Sequence, residues 1–129
     1  MKVLQDIWIL EKAGIVLFHR EFDKSYAPQL FGAMMSALNT FAEQLSDGGL
    51  SNFELQNKRF TIIKKQDLLF VANSSKIFKE KKVNKELKKI SEKFLKLYSE
   101  DLKKYKGQLG HFNEFLKYIE DALEEKTKV

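Results

Sequence analysis

Two apolar runs open the chain and predict a β-hairpin. Residues 4–10 and residues 15–20 are rich in β-branched and aromatic side chains, as strands are. Between them, residues 11–14 end in Gly14, and glycine tolerates the positive φ of a tight connection, so the two strands are expected to pair antiparallel. Both runs are apolar at successive positions, which predicts central strands covered on both faces.

The hydrophobic period changes after Pro28 and predicts a first helix. Its apolar positions recur every three or four residues: Leu30, Phe31, Met34, Met35, Leu38, Phe41, Ala42 and Leu45. At 100° per residue they span an arc of about 140°, wide enough to face a sheet and overhang one flank. Pro28 suits the first turn, where a missing N–H costs little, and Gly48 and Gly49 end the run.

Three further strands are predicted after the glycines. Residues 51–56 alternate apolar and polar positions, which is typical of a strand with one face in water. Asn57 and Lys58 turn the chain into a strand over residues 59–65, and Gln66 and Asp67 lead into an almost wholly apolar strand over residues 68–72. Connections this short predict an antiparallel meander.

The helical period returns near residue 84 and predicts two closing helices. One runs over about 84–105, with Asn84 as its N-cap. Its apolar face is interrupted only by Asp101 and comprises Val83, Leu87, Ile90, Phe94, Leu97, Tyr98 and Tyr105. The opposite face carries a stripe of Lys85, Lys89, Lys96 and Lys103. The last helix carries Leu109, Phe112, Phe115, Leu116, Ile119 and Leu123.

The predicted element order is ββ-α-βββ-α-α. Because the first helix joins the two halves of the sheet, the expected fold is of the α/β (α+β) class. It has one five-stranded, antiparallel-rich sheet with helices on both faces. A length of 129 residues fits one domain, expected over residues 1–124, with a frayed tail over 125–129.

Composition and charge narrow the classes of function. The net charge is +5, and residues 76–106 hold twelve lysines against five acidic residues. The absence of cysteine excludes a disulfide framework, a thiolate zinc site and a cysteine nucleophile. No apolar run approaches the ~20 residues of a membrane-spanning helix, and no signal peptide is expected, so the sequence predicts a cytoplasmic location, with peripheral membrane contact left open.

The element order and the hairpin over residues 6–18 resemble the longin domain of the SNARE-like superfamily. Within that superfamily, the hairpin is most similar to the N-terminal domain of the signal-recognition-particle receptor α subunit. Residues 67–71 resemble the family's apolar fifth strand, and the closing helices resemble its C-terminal pair. Roadblock proteins share the sheet arrangement but usually begin with a helix, whereas this chain begins with a strand, which favours the longin domain and a longin/profilin-like sandwich.

The resemblance implies a protein–protein interaction module. Longin domains occur in SNAREs, adaptor subunits and tethering complexes, and as activators or docking partners of small GTPases. We expect no SNARE heptad segment and no GTPase domain beside this one. The expected partner is therefore a small GTPase or another longin- or roadblock-like subunit, with a homodimer as a further possibility.

Catalytic chemistry is not predicted. His19 and His111 stand outside any ligand pattern, and each is expected at the surface or a strand edge. Gly48 and Gly49, and the pair Gly107 and Gly110, lack the setting of a phosphate-binding loop and act as helix breakers. No catalytic residue, cofactor or metal is expected.

Two sets of residues are candidates for binding. Phe31 and Met35 lie on one flank of the first helix's apolar arc, although core packing explains them as well. With Phe53 and Leu55 on the half-wet strand they are predicted to line a partner-binding groove, and that strand's edge can accept an added strand.

The second set is basic. Lys76, Lys79, Lys81 and Lys82 surround Ile77 and Phe78 and are predicted to contact an anionic membrane surface. The alternative function is thus a basic module that binds an anionic membrane surface or nucleic acid through the segment Lys76–Lys106. Nucleic acid is disfavoured because the aromatic residues of the long helix lie opposite its lysine stripe.

Overall fold

The computed structural model describes residues 2–21, 27–107 and 110–124, which form one sheet and its flanking helices. The elements are β1 (Ile7–Glu11), β2 (Val16–Arg20), α1 (Pro28–Leu45), β3 (Asn52–Glu54), β4 (Lys58–Lys65), β5 (Leu68–Ser75), α2 (Glu80–Lys104) and α3 (Leu116–Ile119). Short 3-10 turns at Asn113–Phe115 and Glu120–Ala122 flank α3. The predicted order ββ-α-βββ-α-α is confirmed.

The five strands form an antiparallel sheet in the order β2-β1-β5-β4-β3. The opening hairpin closes as predicted, with the Gly14 amide donating to the Glu11 carbonyl oxygen at 2.8 Å. β3, β4 and β5 form the predicted meander. The prediction that β2 is a central strand is wrong, because β2 lies at one edge of the sheet. The apolar residues on both faces of β2 indicate that both faces are covered. They do not indicate how many strands pair with β2.

Helices cover both faces of the sheet, as predicted. β5 illustrates the division: Leu69 and Val71 point toward α1, whereas Phe70 and Ala72 point toward α2 and the C-terminal segment. The α2 side holds the larger core, and it includes the fully buried aromatic side chains Phe70, Phe94, Phe112 and Phe115. On the α1 side, Trp8 lies fully buried beneath the helix.

The beginning of α2 corrects one prediction. The helix starts at Glu80 with Lys79 in the N-cap position, one turn before the predicted cap, so Asn84 is an exposed residue inside the helix. The side chain of Lys79 makes no capping hydrogen bond. Glu80 instead places a negative charge in the first turn, where the helix dipole favours it. Leu97, predicted on the apolar face, is exposed, and Leu95 is buried.

The C-terminal segment is less regular than predicted. The predicted last helix is present, but it consists of a 3-10 turn, the single α-helical turn of α3 and a second 3-10 turn. Leu123 then pairs with Leu4 in a parallel bridge, and the Glu124 amide donates to the Leu4 carbonyl oxygen at 2.7 Å. Leu109 and the predicted frayed tail over 125–129 lie outside the described residues. No helix in the described ranges is long and apolar enough to cross a membrane.

Candidate partner-binding surface

α1 presents two neighbouring apolar surfaces, of which one is buried and the other exposed. The buried surface includes Phe31 and Met35 and faces the sheet. The exposed surface, here called the α1 stripe, comprises Leu30, Met34, Leu38, Phe41 and Leu45, whose exposed fractions are 70%, 48%, 40%, 60% and 73%. The predicted overhang of the apolar arc beyond one flank of the sheet is therefore present in the structure.

The sequence predicted partner binding at Phe31 and Met35, and the structure buries that end of the arc. Met35 is fully buried and Phe31 is 7% exposed. The ring of Phe31 stacks on Trp8, with 3.9 Å between ring centroids and an interplanar angle of 22°. Met35 therefore acts in core packing, whereas Phe31 packs on Trp8 and also lines the groove described below. Contact of these two residues with a partner stays a prediction. The residues at the other end of the arc are the exposed ones.

An apolar groove connects the α1 stripe to the sheet. It has a volume of about 230 Å³ and is lined by Ala27, Leu30, Phe31, Met34 and Phe60. Phe60 belongs to β4, and Phe53 of the edge strand stacks on it with centroids 4.6 Å apart and planes 5° from parallel. The structure thus brings Phe53 to the ring that lines this groove, while Leu55, just after β3, is 53% exposed.

β3 forms the sheet edge beside this groove. Its neighbours Ser51 and Leu55 bond to β4, since the Ser51 carbonyl oxygen accepts from Ile62 at 2.9 Å and the Leu55 amide donates to Lys58 at 2.8 Å. Because backbone groups alternate direction along an antiparallel strand, Asn52 and Glu54 direct theirs away from β4. The edge is only three residues long, which limits how much of an added strand it can pair with.

A polar network on the α2 side holds β3 in place. The carboxylate of Glu54 accepts from Arg59 Nε at 3.2 Å and pairs with Lys76 Nζ at 3.0 Å. The hydrogen bond from Lys76, followed by that from Arg59, holds the pKa of Glu54 below its usual value. Arg59 also donates to the Phe78 carbonyl oxygen at 2.9 Å, so the network joins the edge strand to the turn before α2.

The predicted basic patch lies around that turn. Lys76, Lys79, Lys81 and Lys82 are all exposed, as is Ile77 at 83%. Phe78, in contrast, packs partly against the core, and the Lys76 charge is shared with Glu54. The patch is therefore an exposed aliphatic residue among lysines instead of the basic-aromatic patch that the sequence suggested.

The histidines have carboxylate neighbours. His19 Nδ1 lies 2.8 Å from Glu21 Oε1, and His111 Nε2 lies 3.5 Å from Asp101 Oδ2. Within residues 2–21, 27–107 and 110–124, no group of three or more potential ligands is placed to hold a metal ion.

The aromatic residues of α2 pack into the core. Phe94 and Tyr98 form an aromatic cluster with Phe112 and Phe115, with centroid distances of 5.1–5.9 Å. Desolvation on partial burial raises the pKa of the Tyr98 hydroxyl. These rings lie away from the exposed lysines, which is unfavourable for base stacking.

Comparisons with known proteins agree with this architecture. The family described as the first longin domain of FUZ, MON1 and HPS1 matches residues 5–125. The structure of Myxococcus xanthus MglB is similar, with a TM-score of 0.61 at 12% identity over 75% of this chain and 85% of that one. The gliding protein MglB from Thermus thermophilus gives a TM-score of 0.50 at 14% identity, over 63% and 67%. A comparison with curated protein sequences gave no match. The chain belongs to the longin-domain family, in the group of the first longin domain of FUZ, MON1 and HPS1.

Proposed function

We propose that this protein is a non-catalytic interaction module that binds a small GTPase, or another longin- or roadblock-like subunit, in a regulatory or trafficking complex. Its longin fold supports this function, because longin domains serve as docking and regulatory modules. A cytoplasmic location follows from the proposal, since small GTPases act there. The more specific likeness of the opening hairpin to the signal-recognition-particle receptor α subunit stays a prediction.

The α1 stripe is the observation on which the proposal depends. Its five apolar side chains are 40–73% exposed on one side of a single helix, and a continuous exposed apolar patch is often functional. Removing apolar side chains from water is favourable, although only the surplus over the ordering and desolvation costs of association appears as affinity. A partner that covers the stripe therefore gains a substantial driving force.

The apolar composition of α1 indicates which kind of partner surface can bind the α1 stripe. Glu43 is the only ionisable residue between Pro28 and Leu45, so the stripe selects by apolar shape and not by charge. The adjoining groove, with Phe60 in its wall, offers space for one side chain of the partner. Phe53 stacks on the Phe60 ring that lines this groove, and Leu55 is exposed just after β3, so both keep the partner-binding role predicted for them.

Binding to native partners tests the proposal. The immobilised protein is incubated with native extract containing either GDP or a non-hydrolysable GTP analogue, and retained proteins are identified by mass spectrometry. We expect retention of a small GTPase or of a longin- or roadblock-like subunit that persists at high salt. Met34→Glu should abolish it, because a carboxylate would then interrupt the stripe. Thr40→Glu, at an exposed polar position of the same helix, is the matched control. Loss with both variants, or retention of neither class of protein, would contradict the proposal.

One observation favours a second function, contact with an anionic membrane. Ile77 extends almost fully into solvent at the turn before α2, and four exposed lysines surround it. An aliphatic side chain can enter the headgroup region, while each nearby lysine adds about 1 kcal/mol of attraction to an anionic surface. Lys76 contributes less than the others because it pairs with Glu54.

Vesicle co-sedimentation tests this second function. Binding is compared between phosphatidylcholine vesicles and vesicles that also contain phosphatidylserine, at low and at physiological salt. Membrane contact predicts binding to the anionic vesicles alone, with strong weakening by Ile77→Asp. Leu97→Asp, which replaces an exposed aliphatic residue elsewhere on α2, should bind as the parent protein does. Equal binding to both vesicles, or none at low salt, argues against a membrane role.

A further inference from the structure

The first half of α2 concentrates positive charge on its solvent face. Over residues 79–89, six lysines stand against two acidic residues, and all six lysines are exposed. Lys81, Lys85 and Lys88 are separated by four and three positions, so they lie on one side of the helix within about two turns. Five residues of this side line a shallow groove that opens to solvent, here called the α2 groove: Glu80, Lys81, Asn84, Lys85 and Lys88.

The three lysines of the α2 groove have no carboxylate partner within the described part of the chain. Two acidic residues of the same helix are engaged elsewhere. Glu86 pairs with Lys89 at 3.7 Å, and Glu92 pairs with Lys65 of β4 at 3.7 Å. The positive charge of the groove is therefore balanced by solvent ions alone among these contacts.

This arrangement of lysines opposes the stability of the helix. Lys81 and Lys85 are neighbours on the helix surface, as are Lys85 and Lys88, and like charges at this spacing repel each other. Lys81 also lies in the first turn, where the helix dipole disfavours a positive charge. Proteins depart from such local rules mainly at functional sites, and here a ligand can supply the missing negative charge.

We propose that the α2 groove binds a segment of a partner protein that is rich in Asp and Glu. The carboxylates of such a segment complement the three lysines. The lysines span about 10 Å along the helix axis, the length of about three residues of an extended chain. Because α2 and α1 cover opposite faces of the sheet, this surface is separate from the α1 stripe, and the inference does not depend on the proposed function.

The lining of the groove favours a protein segment over a membrane or a nucleic acid. Glu80 places a carboxylate at the N-terminal end of the groove, where it accepts from Asn52 Nδ2 at 3.0 Å. An anionic membrane or a phosphate backbone is repelled by this carboxylate, whereas a peptide can present an N–H donor or a basic side chain to it. The five lining residues also include no aromatic ring for base stacking and no aliphatic side chain that could enter a membrane.

Fluorescence anisotropy tests the binding. The probe is a labelled short peptide of alternating Glu and Ala, and the same peptide with Gln in place of Glu is the uncharged control. We expect saturable binding of the Glu peptide alone, weaker at physiological than at low salt, because exposed charges are screened. The variant Lys81→Gln/Lys85→Gln/Lys88→Gln should weaken binding at least about tenfold, since three exposed ion pairs of modest strength are lost together.

Two controls separate the groove from net charge and from the membrane patch. Lys96→Gln/Lys103→Gln/Lys104→Gln removes the same charge from the other half of α2 and should weaken binding less than about threefold. Ile77→Ser removes the exposed aliphatic side chain of the patch proposed to contact a membrane, and it should leave peptide binding unchanged.

Urea denaturation gives a second readout that needs no ligand. The groove variant should unfold at a higher urea concentration than the parent protein, because it removes repulsion between neighbouring lysines. The control variant should show no such gain, because Lys103 and Lys104 lie in the last turn, where the helix dipole favours positive charge. A groove variant that is no more stable than the control contradicts the argument from repulsion.

Three results of the binding experiments overturn the proposal. Equal loss of peptide binding in the two triple variants would show that net charge, and not the groove, attracts the peptide. Binding of phosphatidylserine vesicles or of a single-stranded oligonucleotide through the groove lysines, without binding of the Glu peptide, would assign the groove to lipid or nucleic acid. Absence of peptide binding at low salt would leave the groove without an acidic protein ligand.

Discussion

Gly32 of α1 packs directly against Gly14 of the hairpin turn, so closely that Gly32 has no room for a side chain and Gly14 has little. A β carbon at Gly32 would lie 2.3 Å from the Gly14 carbonyl oxygen and 2.7 Å from Val16 Cγ2. Gly14 itself has a φ of 101°, which disfavours other residues, and a β carbon there would lie 3.1 Å from the Gly32 carbonyl oxygen. This contact sets the distance between α1 and the sheet.

Gly32→Ala is expected to destabilise the protein even though alanine is the better helix former. The gain in helix propensity is about 1 kcal/mol, whereas displacing a backbone carbonyl in a packed interface costs typically 1–3 kcal/mol and sometimes more. We expect a net loss of up to about 2 kcal/mol in the free energy of unfolding, measured by urea denaturation. Thr40→Ala, at an exposed position of the same helix, should be stabilising by a few tenths of a kcal/mol. Equal effects of the two variants would contradict the close contact.

A buried pair at the start of β1 supplies a second prediction. Asn73 Nδ2 donates to Asp6 Oδ2 at 3.0 Å, and the Asp6 amide donates to Asn73 Oδ1 at 2.9 Å. Both residues are almost fully buried. Asn73→Ala removes a donor from a buried carboxylate and leaves a buried amide without this acceptor, so we expect a loss of about 2–4 kcal/mol. Thermal and urea unfolding measure it.

Asn52→Ala is the matched control for that variant. Asn52 donates to Glu80 Oε1 at 3.0 Å, but both groups are exposed to water, which replaces the lost hydrogen bond. The expected loss is below about 0.5 kcal/mol. The interpretation of Asn73 is wrong if both variants lose the same amount of stability.

The N-cap of α2 gives a prediction that distinguishes the N-cap assigned from the sequence, Asn84, from the one in the structure, Lys79. If Asn84 were the N-cap, as the sequence predicts, Asn84→Ala would cost about 1 kcal/mol. The structure places Asn84 within the helix, where alanine is preferred by about 0.5 kcal/mol, so the variant should be slightly more stable. Chemical denaturation measures the sign of this difference in the free energy of unfolding. A loss near about 1 kcal/mol would show that Asn84 is the N-cap after all.

The sequence predicted the fold well because the relevant signals are local. Gly14 marks the hairpin, and the change from a two-residue to a helical period marks α1 after Pro28. The error about β2 arises because strand order is decided by pairing between distant segments: β1 pairs with β5, about sixty residues away, and thereby leaves β2 at the edge.

The candidate site was harder to predict than the fold. Periodicity located an apolar arc on α1 but could not tell which end faces the sheet, since Met34 and Met35 are equivalent by hydrophobicity. That choice depends on the Gly32–Gly14 contact, which fixes the rotation of the helix and buries Met35. A glycine within the helical pattern was the available signal, because glycine there usually marks a close approach of two backbones.

The edge-strand network makes a prediction about pH. The pKa of Glu54 lies below its usual value of 4.5 because Lys76 and then Arg59 donate to the carboxylate. A lowered pKa in the folded state means that these contacts stabilise the protein at pH values above the unfolded pKa. That contribution disappears as the pH falls through the lower, folded pKa. Because Glu54 is exposed to solvent, the effect on total stability should be small, and the pKa itself is the better observable.

Lys76→Gln should therefore raise the pKa of Glu54 toward its usual value, since it removes the largest cause of the shift. Carbon-detected NMR of the side-chain carboxyl across pH 2–7 measures it directly. Lys81→Gln is the matched control, because it removes the same charge from the first turn of α2. Among the contacts of the described residues, Lys81 makes no hydrogen bond to Glu54. The pKa of Glu54 in this variant should therefore match that in the parent protein. An equal rise in both variants would indicate a general field of the lysine cluster, and no rise with Lys76→Gln would show that the pair does not persist in solution.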